Sequence, residues 1–473
     1  MSQVLKIITD VNNVLNSFAW GPVMLLLLVG TGVLLTFRTG CIQVRKFGYI
    51  MRHTVGGLFT KKDKGDHGAN LSPFQAVTTA LAGTVGTGNI AGVTGAIFVG
   101  GPGAVFWMWV SAFFGMCTKY AEIVLAVHYR VRDGKGVYHG GPMYYIERGL
   151  GKSWRWLACV FAVLGGLASF GIGNIAQSSE IAGAVVGLAG ITDPLAVRRA
   201  STLVGVVLAV LVAVIVLGGV QRIGQVTSLL VPLMTLFYVA AGVVVIVLRA
   251  GDLPVVFGSI FKSAFSLEAV GGGVFGYAMM RAMRQGVARG VFSNEAGLGS
   301  APIAHAASAA QTPAEQAMWG VFEVFFDTIV ICTITAMAVL LSGLELGEAA
   351  LEGFVSKGAA AAAAFNAVLP GTLGGTVIQI SLIFFALSTI ISWSYYGERC
   401  WGYLSGNHKG FVTFYKLFYI NVCVWGAAGS GKLMWDISDT LNGLMALPNL
   451  VALLLLSGTV AQLTRSYFDG KRK

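Results

Sequence analysis

Two glycine-rich segments that also carry polar residues interrupt otherwise apolar stretches of this sequence. Residues 83–89 read GTVGTGN, and residues 293–300 read SNEAGLGS. Each glycine disfavours continuous helix by roughly 1 kcal/mol relative to alanine, so both segments predict interrupted helices. The ends of an interrupted helix offer free N–H groups to a carboxylate and free carbonyl oxygens to a cation. The predicted chemistry is reversible binding, although each segment alone could instead be a glycine stripe for close helix packing.

Adjacent hydroxyl groups at Ser388 and Thr389 form a second candidate site. Sodium is a hard cation that takes oxygen ligands, so two hydroxyls facing free carbonyls would suit it. The same hydroxyls could instead bond back to carbonyls of the preceding helical turn. Trp393 follows Thr389 by one turn and shares its helix face, where it could wall a pocket or simply pack.

Polar amides at Asn174 and Gln177 are three residues apart and therefore share a helix face. Their side chains could hold a zwitterionic ligand. They could equally join neighbouring helices by hydrogen bonds, as amides often do within membranes.

Ionisable residues inside apolar segments are candidates for function. Lys119 and Glu122 are spaced to pair with each other, near the end of a helix. Glu295 lies inside the second glycine-rich segment. Glu323 and Asp327 are one turn apart and could carry a coupling proton or belong to a structural network.

The elements that must position these residues are membrane-spanning helices. Of the 473 residues, 55% are hydrophobic and 11% are charged, and the mean hydropathy is +0.74. A soluble domain has about 25% charged residues, so lipid must surround most of this chain. A span needs about 20 apolar residues, which predicts eleven spans at 15–37, 71–99, 103–128, 155–187, 200–218, 223–248, 284–307, 317–342, 373–396, 411–428 and 434–460.

The basic residues predict the orientation of these spans. With the N-terminus placed outside, most of the 32 Lys and Arg residues fall on cytoplasmic loops, chiefly 38–70 and 129–154, and on the C-terminal tail. Cytoplasmic loops of membrane proteins are enriched in these residues. This distribution, rather than the net charge of +11, predicts N-out, C-in topology in a lipid bilayer, and we expect no nucleic-acid partner.

Enzyme and metal motifs are not indicated. The Gly86-x-Gly88 pair has no third glycine at dinucleotide-binding spacing, and the sequence contains no phosphate-binding loop of the ATPase type. The six cysteines form no Cys-x-x-Cys pair, so neither a zinc site nor a disulfide framework is predicted. We expect no cofactor and no enzymatic activity.

The two glycine-rich segments fall in the second and seventh predicted spans. They are five spans apart, and five is odd, so the second segment runs through the membrane in the opposite direction. This spacing is typical of an inverted-topology repeat in a secondary transporter. The single transmembrane domain, 1–473, then divides into an extra N-terminal helix (15–37), a first repeat (71–248) and a second repeat (284–460).

Four blocks of the sequence resemble the bacterial and archaeal alanine/glycine:cation symporter family. They are 82–92 (AGTVGTGNIAG), 140–145 (GGPMYY), 290–305 (GVFSNEAGLGSAPIAH) and 392–398 (SWSYYGE). The likeness extends over nearly the whole chain. It implies an all-α LeuT-type fold with a 5+5 inverted repeat and broken helices. It also implies sodium-driven uptake of alanine or glycine across the cytoplasmic membrane of a bacterium or archaeon.

The resemblance also implies roles for matching residues. Sodium would be held by carbonyls of Ala82, Val85 and Phe385 and by hydroxyls of Ser388 and Thr389. The substrate-binding set would be Thr87, Gly88, Gln177, Phe292 and Trp393, with the first two meeting the carboxylate. A second sodium site is expected near Asn89 and Ser293. Ser388 departs from the family pattern, where a threonine is expected, but it retains the hydroxyl.

Two other classes of function remain compatible with the sequence. One is a proton-coupled carrier on the same scaffold that uses Glu295 or Asp327. The other is a channel or a non-transporting receptor.

Overall fold

The computed structural model describes residues 2–60, 70–134, 136–265, 274–354, 356–429 and 432–470. Parts of both predicted basic loops, 61–69 and Lys135, lie outside these residues. Within them the chain is almost entirely helical. A short antiparallel hairpin pairs β1 (Val131–Arg132) with β2 (Tyr138–His139).

The first half of the chain contains fourteen α-helices among the described residues. They are α1 (Ser2–Ala19), α2 (Pro22–Arg38), α3 (Ile42–Arg45), α4 (Phe47–His53), α5 (Val55–Thr60), α6 (Pro73–Thr84), α7 (Val93–Gly100), α8 (Gly103–His128), α9 (Pro142–Gly149), α10 (Arg155–Phe170), α11 (Ala176–Leu188), α12 (Pro194–Val216), α13 (Gly219–Leu248) and α14 (Leu253–Ala264).

The described part of the second half adds ten more. They are α15 (Val274–Asn294), α16 (Ala301–Ala306), α17 (Pro313–Val324), α18 (Thr333–Leu341), α19 (Glu348–Glu352), α20 (Lys357–Asn366), α21 (Leu373–Leu404), α22 (Lys409–Ala427), α23 (Lys432–Leu455) and α24 (Ser457–Gly470). Three π-helical stretches (Gly88–Gly92, Gly171–Ile175 and Phe325–Cys332) and two 3-10 turns (Lys152–Trp154 and Ala250–Asp252) join some of them.

Eight helical segments among the described residues are long and apolar enough to cross a membrane, and a bent pair formed by α6 and Gly88–Gly100 makes a ninth. The chain is thus an all-α polytopic membrane protein. The predicted count of eleven is not confirmed. The spans predicted at 284–307 and 411–428 do fold as helices. However, the helix in the 284–307 segment is interrupted after Asn294. In the 411–428 segment, Lys416 and Asn421 lower the mean hydropathy.

Two helices, α12 and α13, carry much of the apolar outer surface. Leu203 and Val210 on α12, and Leu229 and Leu236 on α13, are more than half exposed. Water would not stabilise such a surface. These helices therefore face lipid, while α8 lies inside, packed against α15 and α17.

The first predicted interruption is present between α6 and the π-helical turn at Gly88, where the two parts are bent by 47°. Ser72 and Gln75 cap the start of α6 reciprocally, which fixes where the helix begins. Gly86 allows α21 to approach closely, because a Cβ atom there would lie 2.6 Å from the Thr389 hydroxyl oxygen. No other residue type fits that contact.

The second predicted interruption is present between α15 and α16. Glu295, Gly297 and Gly299 all have positive φ angles, of 56°, 93° and 84°. This left-handed backbone is readily adopted by glycine and costs energy at glutamate, so other contacts must hold Glu295 in place. The inverted relation between the two halves stays a prediction.

Candidate functional site

A small buried cavity lies where the two interrupted helices meet. It is lined by all five residues of the predicted substrate-binding set, together with Gly83, Thr84, Gly86, Ile172, Glu295, Thr389 and Asn442. Its volume of about 20 Å³ leaves room for little more than a water molecule. Binding of any amino acid would therefore require the walls to move.

The predicted substrate-binding residues contact one another across this cavity. The Thr87 hydroxyl donates to the Gln177 side-chain carbonyl at 3.1 Å, which links the first interruption to α11. The Gln177 amide in turn donates to the backbone carbonyl of Ile172 at 3.0 Å. Gly88 lies against Phe292, whose ring would be 3.2 Å from a Cβ atom at that glycine. The cavity is therefore bounded by polar groups on one side and by an aromatic ring on the other.

Trp393 forms a wall of the cavity and is fixed by a carboxylate. Its indole N–H donates to Glu295 Oε1 at 3.1 Å, and the Ser300 hydroxyl donates to Glu295 Oε2. Gly173 packs against the base of the indole, where a Cβ atom would lie 2.5 Å from Cβ of Trp393. Glu295, a weaker prediction, is thus a lining residue that ties α21 to the second interruption.

Four of the five predicted sodium-binding residues converge beside this cavity. The Ser388 hydroxyl lies 3.2 Å from the Ala82 carbonyl oxygen and 2.8 Å from that of Phe385. The Thr389 hydroxyl lies 3.0 Å from the Phe385 carbonyl oxygen. Both hydroxyls therefore bond back to their own helix, yet Ser388 also reaches a carbonyl of α6. Val85, the fifth, is the first residue after α6, next to this cluster.

A fully buried network links the two interruptions through Asp327. Asn89 donates to Asp327 Oδ1 at 2.7 Å, and the hydroxyls of Ser293 and Thr328 donate to Oδ2 at 2.9 and 2.8 Å. The side-chain carbonyl of Asn89 also accepts from the Gly86 N–H at 2.9 Å. Asn89 and Ser293, predicted near a second cation, are thus brought together around a carboxylate.

Asn174 does not line the cavity. Its amide donates to the Tyr419 carbonyl at 2.8 Å, and its carbonyl accepts from the Ser178 hydroxyl at 3.1 Å. The π-helical stretch Gly171–Ile175 changes the helical spacing, so Asn174 and Gln177 face different neighbours. Of the two predicted roles, Asn174 therefore has that of joining neighbouring helices, whereas Gln177 has that of lining the cavity.

The predicted Lys119–Glu122 pair is wrong. The Lys119 ammonium lies 3.2 Å from Glu323 Oε1, and both side chains are fully buried. His305 contacts the other oxygen of Glu323 at 3.0 Å. Glu122 instead accepts from the backbone N–H of Gly297 at 3.1 Å. Helix packing thus supplied closer partners than the local spacing suggested.

Asn442 on α23 is a lining residue that the sequence analysis missed. It is 2% exposed, and its side-chain oxygen has no hydrogen-bond partner within the described residues. An amide in an apolar membrane helix is the signal that was available. An unpaired buried acceptor facing a cavity is suited to an N–H donor of a ligand.

Hydrogen bonds to backbone groups close one end of the two interrupted helices, where the loop before α6 meets the loop after α16. Leu71 N–H donates to Ala307, and Ala309 N–H donates to Leu71, at 3.0 and 2.7 Å. The Arg130 guanidinium donates to the Ser308 carbonyl at 2.6 Å. These contacts join the start of α6 to the end of α16.

A histidine of the β-hairpin joins the hairpin to α21. His139 Nε2 lies 3.0 Å from Asp133 Oδ2, and Nδ1 lies 2.6 Å from the Arg399 guanidinium, which donates to it. Burial, followed by the charge of Arg399, lowers the pKa of His139. This contact requires a neutral His139 imidazole, because a protonated Nδ1 could not accept a hydrogen bond from Arg399.

Comparison with known proteins identifies the class of molecule that has this site. The sequence profile of the sodium:alanine symporter family matches residues 5–473. The chain belongs to that family. It is 47% identical over 462 residues to sodium/alanine symporter AgcS of Methanococcus maripaludis, covering 96% of each chain.

Other members of the sodium:alanine symporter family match over similar lengths. Identity is 36% over 469 residues with the putative sodium/proton-dependent alanine carrier protein YrbD of Bacillus subtilis, covering 97% of this chain and 92% of the relative. Identity is 35% over 482 residues with the probable sodium/glutamine symporter GlnT of the same organism, covering 100% of this chain and 92% of the relative. This protein is therefore a membrane transporter and not an enzyme.

Proposed function

We propose that this protein is a sodium-coupled symporter that imports alanine or glycine by alternating access. The observation that carries the proposal is the position of the hydroxyl and carbonyl cluster around Ser388, directly beside the cavity between the two interrupted helices. Membership of the sodium:alanine symporter family and the name of the archaeal relative support the same substrate and ion.

The cavity favours a small neutral amino acid. Thr87 and Gly88 stand at the interruption, where backbone N–H groups would receive the carboxylate. Asn442 offers a free carbonyl oxygen to the ammonium group. Phe292 and Trp393 wall the cavity, so a long side chain would displace them further than the methyl group of alanine or the hydrogen atom of glycine.

The cation site favours sodium because its donors are neutral oxygens. Carbonyls of Ala82, Val85 and Phe385 with hydroxyls of Ser388 and Thr389 would supply five ligands, close to the number that hard cations take. A second cation would fit near Asn89 and Ser293, where Asp327 supplies a carboxylate.

Binding of each ligand would support binding of the other. A cation at Ala82 and Thr389 would order the residues just before Thr87, and so position Thr87 and Gly88 to receive the carboxylate. By linkage the amino acid then raises sodium affinity by the same factor. Release requires the closure at Leu71 and Arg130 to open as one helix bundle rocks against the other.

The proposed orientation is N-out and C-in, in the cytoplasmic membrane of a bacterium or archaeon. The two repeats proposed are 71–248 and 284–460, with 15–37 as the additional helix. The concentration of Lys and Arg in 38–70, 129–154 and the C-terminal tail supports this orientation.

The deciding experiment is uptake of labelled alanine into proteoliposomes, with and without an inward sodium gradient at constant pH. We expect accumulation above equilibrium only with sodium, and competition by glycine. Accumulation driven by a proton gradient without sodium would replace this proposal with the proton-coupled carrier. Currents far above carrier turnover would indicate a channel, and binding without uptake a receptor.

A further inference from the structure

A basic cleft lies at the end of the molecule remote from the N-terminus, between the end of the first span and the C-terminal helix. Its cations are Arg38, Arg45, Lys46 and Arg465, and its volume is about 220 Å³. The share of one water molecule in the liquid is about 30 Å³, so the cleft can hold a polyatomic group. The cleft is separate from the transport cavity and shares no lining residue with it.

The positive charge of this basic cleft is not neutralised by the protein. One carboxylate, Asp469, lines it beside the four cations. Within the part of the chain that the structure describes, none of the four cations forms an ion pair. Arg38, Arg45 and Arg465 are exposed and Lys46 is half-buried, so all can reach a ligand.

The backbone positions two of these cations. Arg45 lies over Gly40, where a Cβ atom would be 2.7 Å from its guanidinium nitrogen, and Gly40 has a φ of 67°. The Lys46 ammonium lies 5.3 Å from the centre of the Phe468 ring, which holds it against α24. The general excess of basic residues on cytoplasmic loops does not require charges from both ends of the chain to converge on one concavity.

We propose that the basic cleft binds the phosphate headgroup of an anionic phospholipid. Arginine donates two parallel hydrogen bonds to a phosphate, which suits the three guanidinium groups present here. Arg38 is the last residue of a spanning helix, so the cleft lies where lipid headgroups lie. The exposed Phe37 beside it would contact the upper acyl chains.

The test uses the purified full-length protein in a neutral detergent. Phosphatidylglycerol, phosphatidylcholine or inorganic phosphate is titrated in, with bound lipid counted by native mass spectrometry and thermal denaturation followed in parallel. Arg45→Gln with Arg465→Gln removes two cleft charges while retaining side-chain length. Arg222→Gln is the matched control, because Arg222 is exposed and lies outside the cleft.

We expect tight phosphatidylglycerol binding by the wild type and by the control. Each basic residue at a membrane surface contributes about fivefold in affinity, so the double variant should bind about 25-fold more weakly. Unchanged lipid binding by the double variant would overturn the proposal. If inorganic phosphate stabilised the protein as much as phosphatidylglycerol does, the cleft would bind free phosphate, and the proposal of a lipid ligand would be overturned. If the double variant elutes as an aggregate, Arg465→Gln alone replaces it, with an expected loss of about fivefold.

Discussion

The two interruptions that meet at the cavity are stabilised in different ways. Beside the first, the neighbours at Ala82, Ser388 and Thr389 are neutral carbonyl and hydroxyl oxygens. Beside the second, the carboxylates of Glu122 and Glu295 accept from the interrupted segment itself, at Gly297 N–H and the Ser300 hydroxyl. A carboxylate is a strong acceptor and fixes a loop on its own.

We infer from this contrast that the order of the first segment depends more on a bound ligand than that of the second, although Asn89 at its end also donates to the Asp327 carboxylate. Carbonyl and hydroxyl oxygens retain lone pairs after bonding to each other, so the first interruption has coordination capacity to offer a cation. At the second, Glu122 Oε1 and both oxygens of Glu295 already accept hydrogen bonds from the protein. We expect variants at the first interruption to change ion dependence, and variants at the second to change stability.

The largest effect is expected for Gly86→Ala. The added Cβ atom would lie 2.6 Å from the Thr389 hydroxyl oxygen, which forces α21 away from the cation site. Overpacking costs about 1–3 kcal/mol, so sodium-driven alanine uptake should fall by up to about 100-fold. Gly92→Ala is the control, because no atom lies within 4 Å of a Cβ there. Equal uptake by both variants would contradict the close approach at Gly86.

Thr389→Ala should raise the sodium concentration that gives half-maximal uptake by about tenfold, because one ligand to a charged group is lost. The preference for alanine over glycine should not change. Thr389→Ser retains the hydroxyl and should restore sodium activation. Sodium titrations of uptake in proteoliposomes measure both. A serine variant as impaired as the alanine variant would mean that the methyl group, not the oxygen, matters.

At the second interruption, Glu295→Ala should lower the free energy of unfolding by about 1–3 kcal/mol, since the buried Trp393 N–H loses its acceptor. Glu295→Gln keeps an acceptor oxygen and should retain sodium-driven uptake within about twofold. Thermal denaturation and uptake assays test the pair. Loss of uptake in the glutamine variant at wild-type stability would assign a coupling role to the charge itself.

The smallest effect is expected for Asn174→Ala, which removes the hydrogen bond to the Tyr419 carbonyl outside the cavity. Stability should fall by about 1 kcal/mol. The alanine concentration for half-maximal uptake should not change. A clear rise in that concentration would return Asn174 to the substrate site.

The features predicted correctly from sequence are those that depend on local chemistry. Both interruptions were predicted because glycine weakens a helix wherever it occurs. The residues gathered in the cavity, such as Thr87, Gln177 and Trp393, followed from a family resemblance. Spacing alone had left Gln177 equally suited to joining helices.

The features that were missed depend on how distant helices pack. Lys119 pairs with Glu323 on another helix, and spacing within one helix says nothing about such a partner. Asn442 lines the cavity because α23 passes beside it, and its amide in an apolar segment marks a polar position without showing which helices it faces. The eleven-span count stays a prediction, because the segments at 284–307 and 411–428 are helical but are not long, continuous and apolar enough to count as spans by length and composition.

The π-helical stretch Gly171–Ile175 has a consequence for the comparison of related sequences. A π turn holds one more residue than an α turn, so deleting one residue there would leave a continuous α-helix in which Gln177 still faces the cavity. If the π turn became α-helical without a deletion, Gln177 and all later residues of the helix would instead rotate by about 100°. Single-residue gaps at this point in related sequences are therefore compatible with the same ligand site.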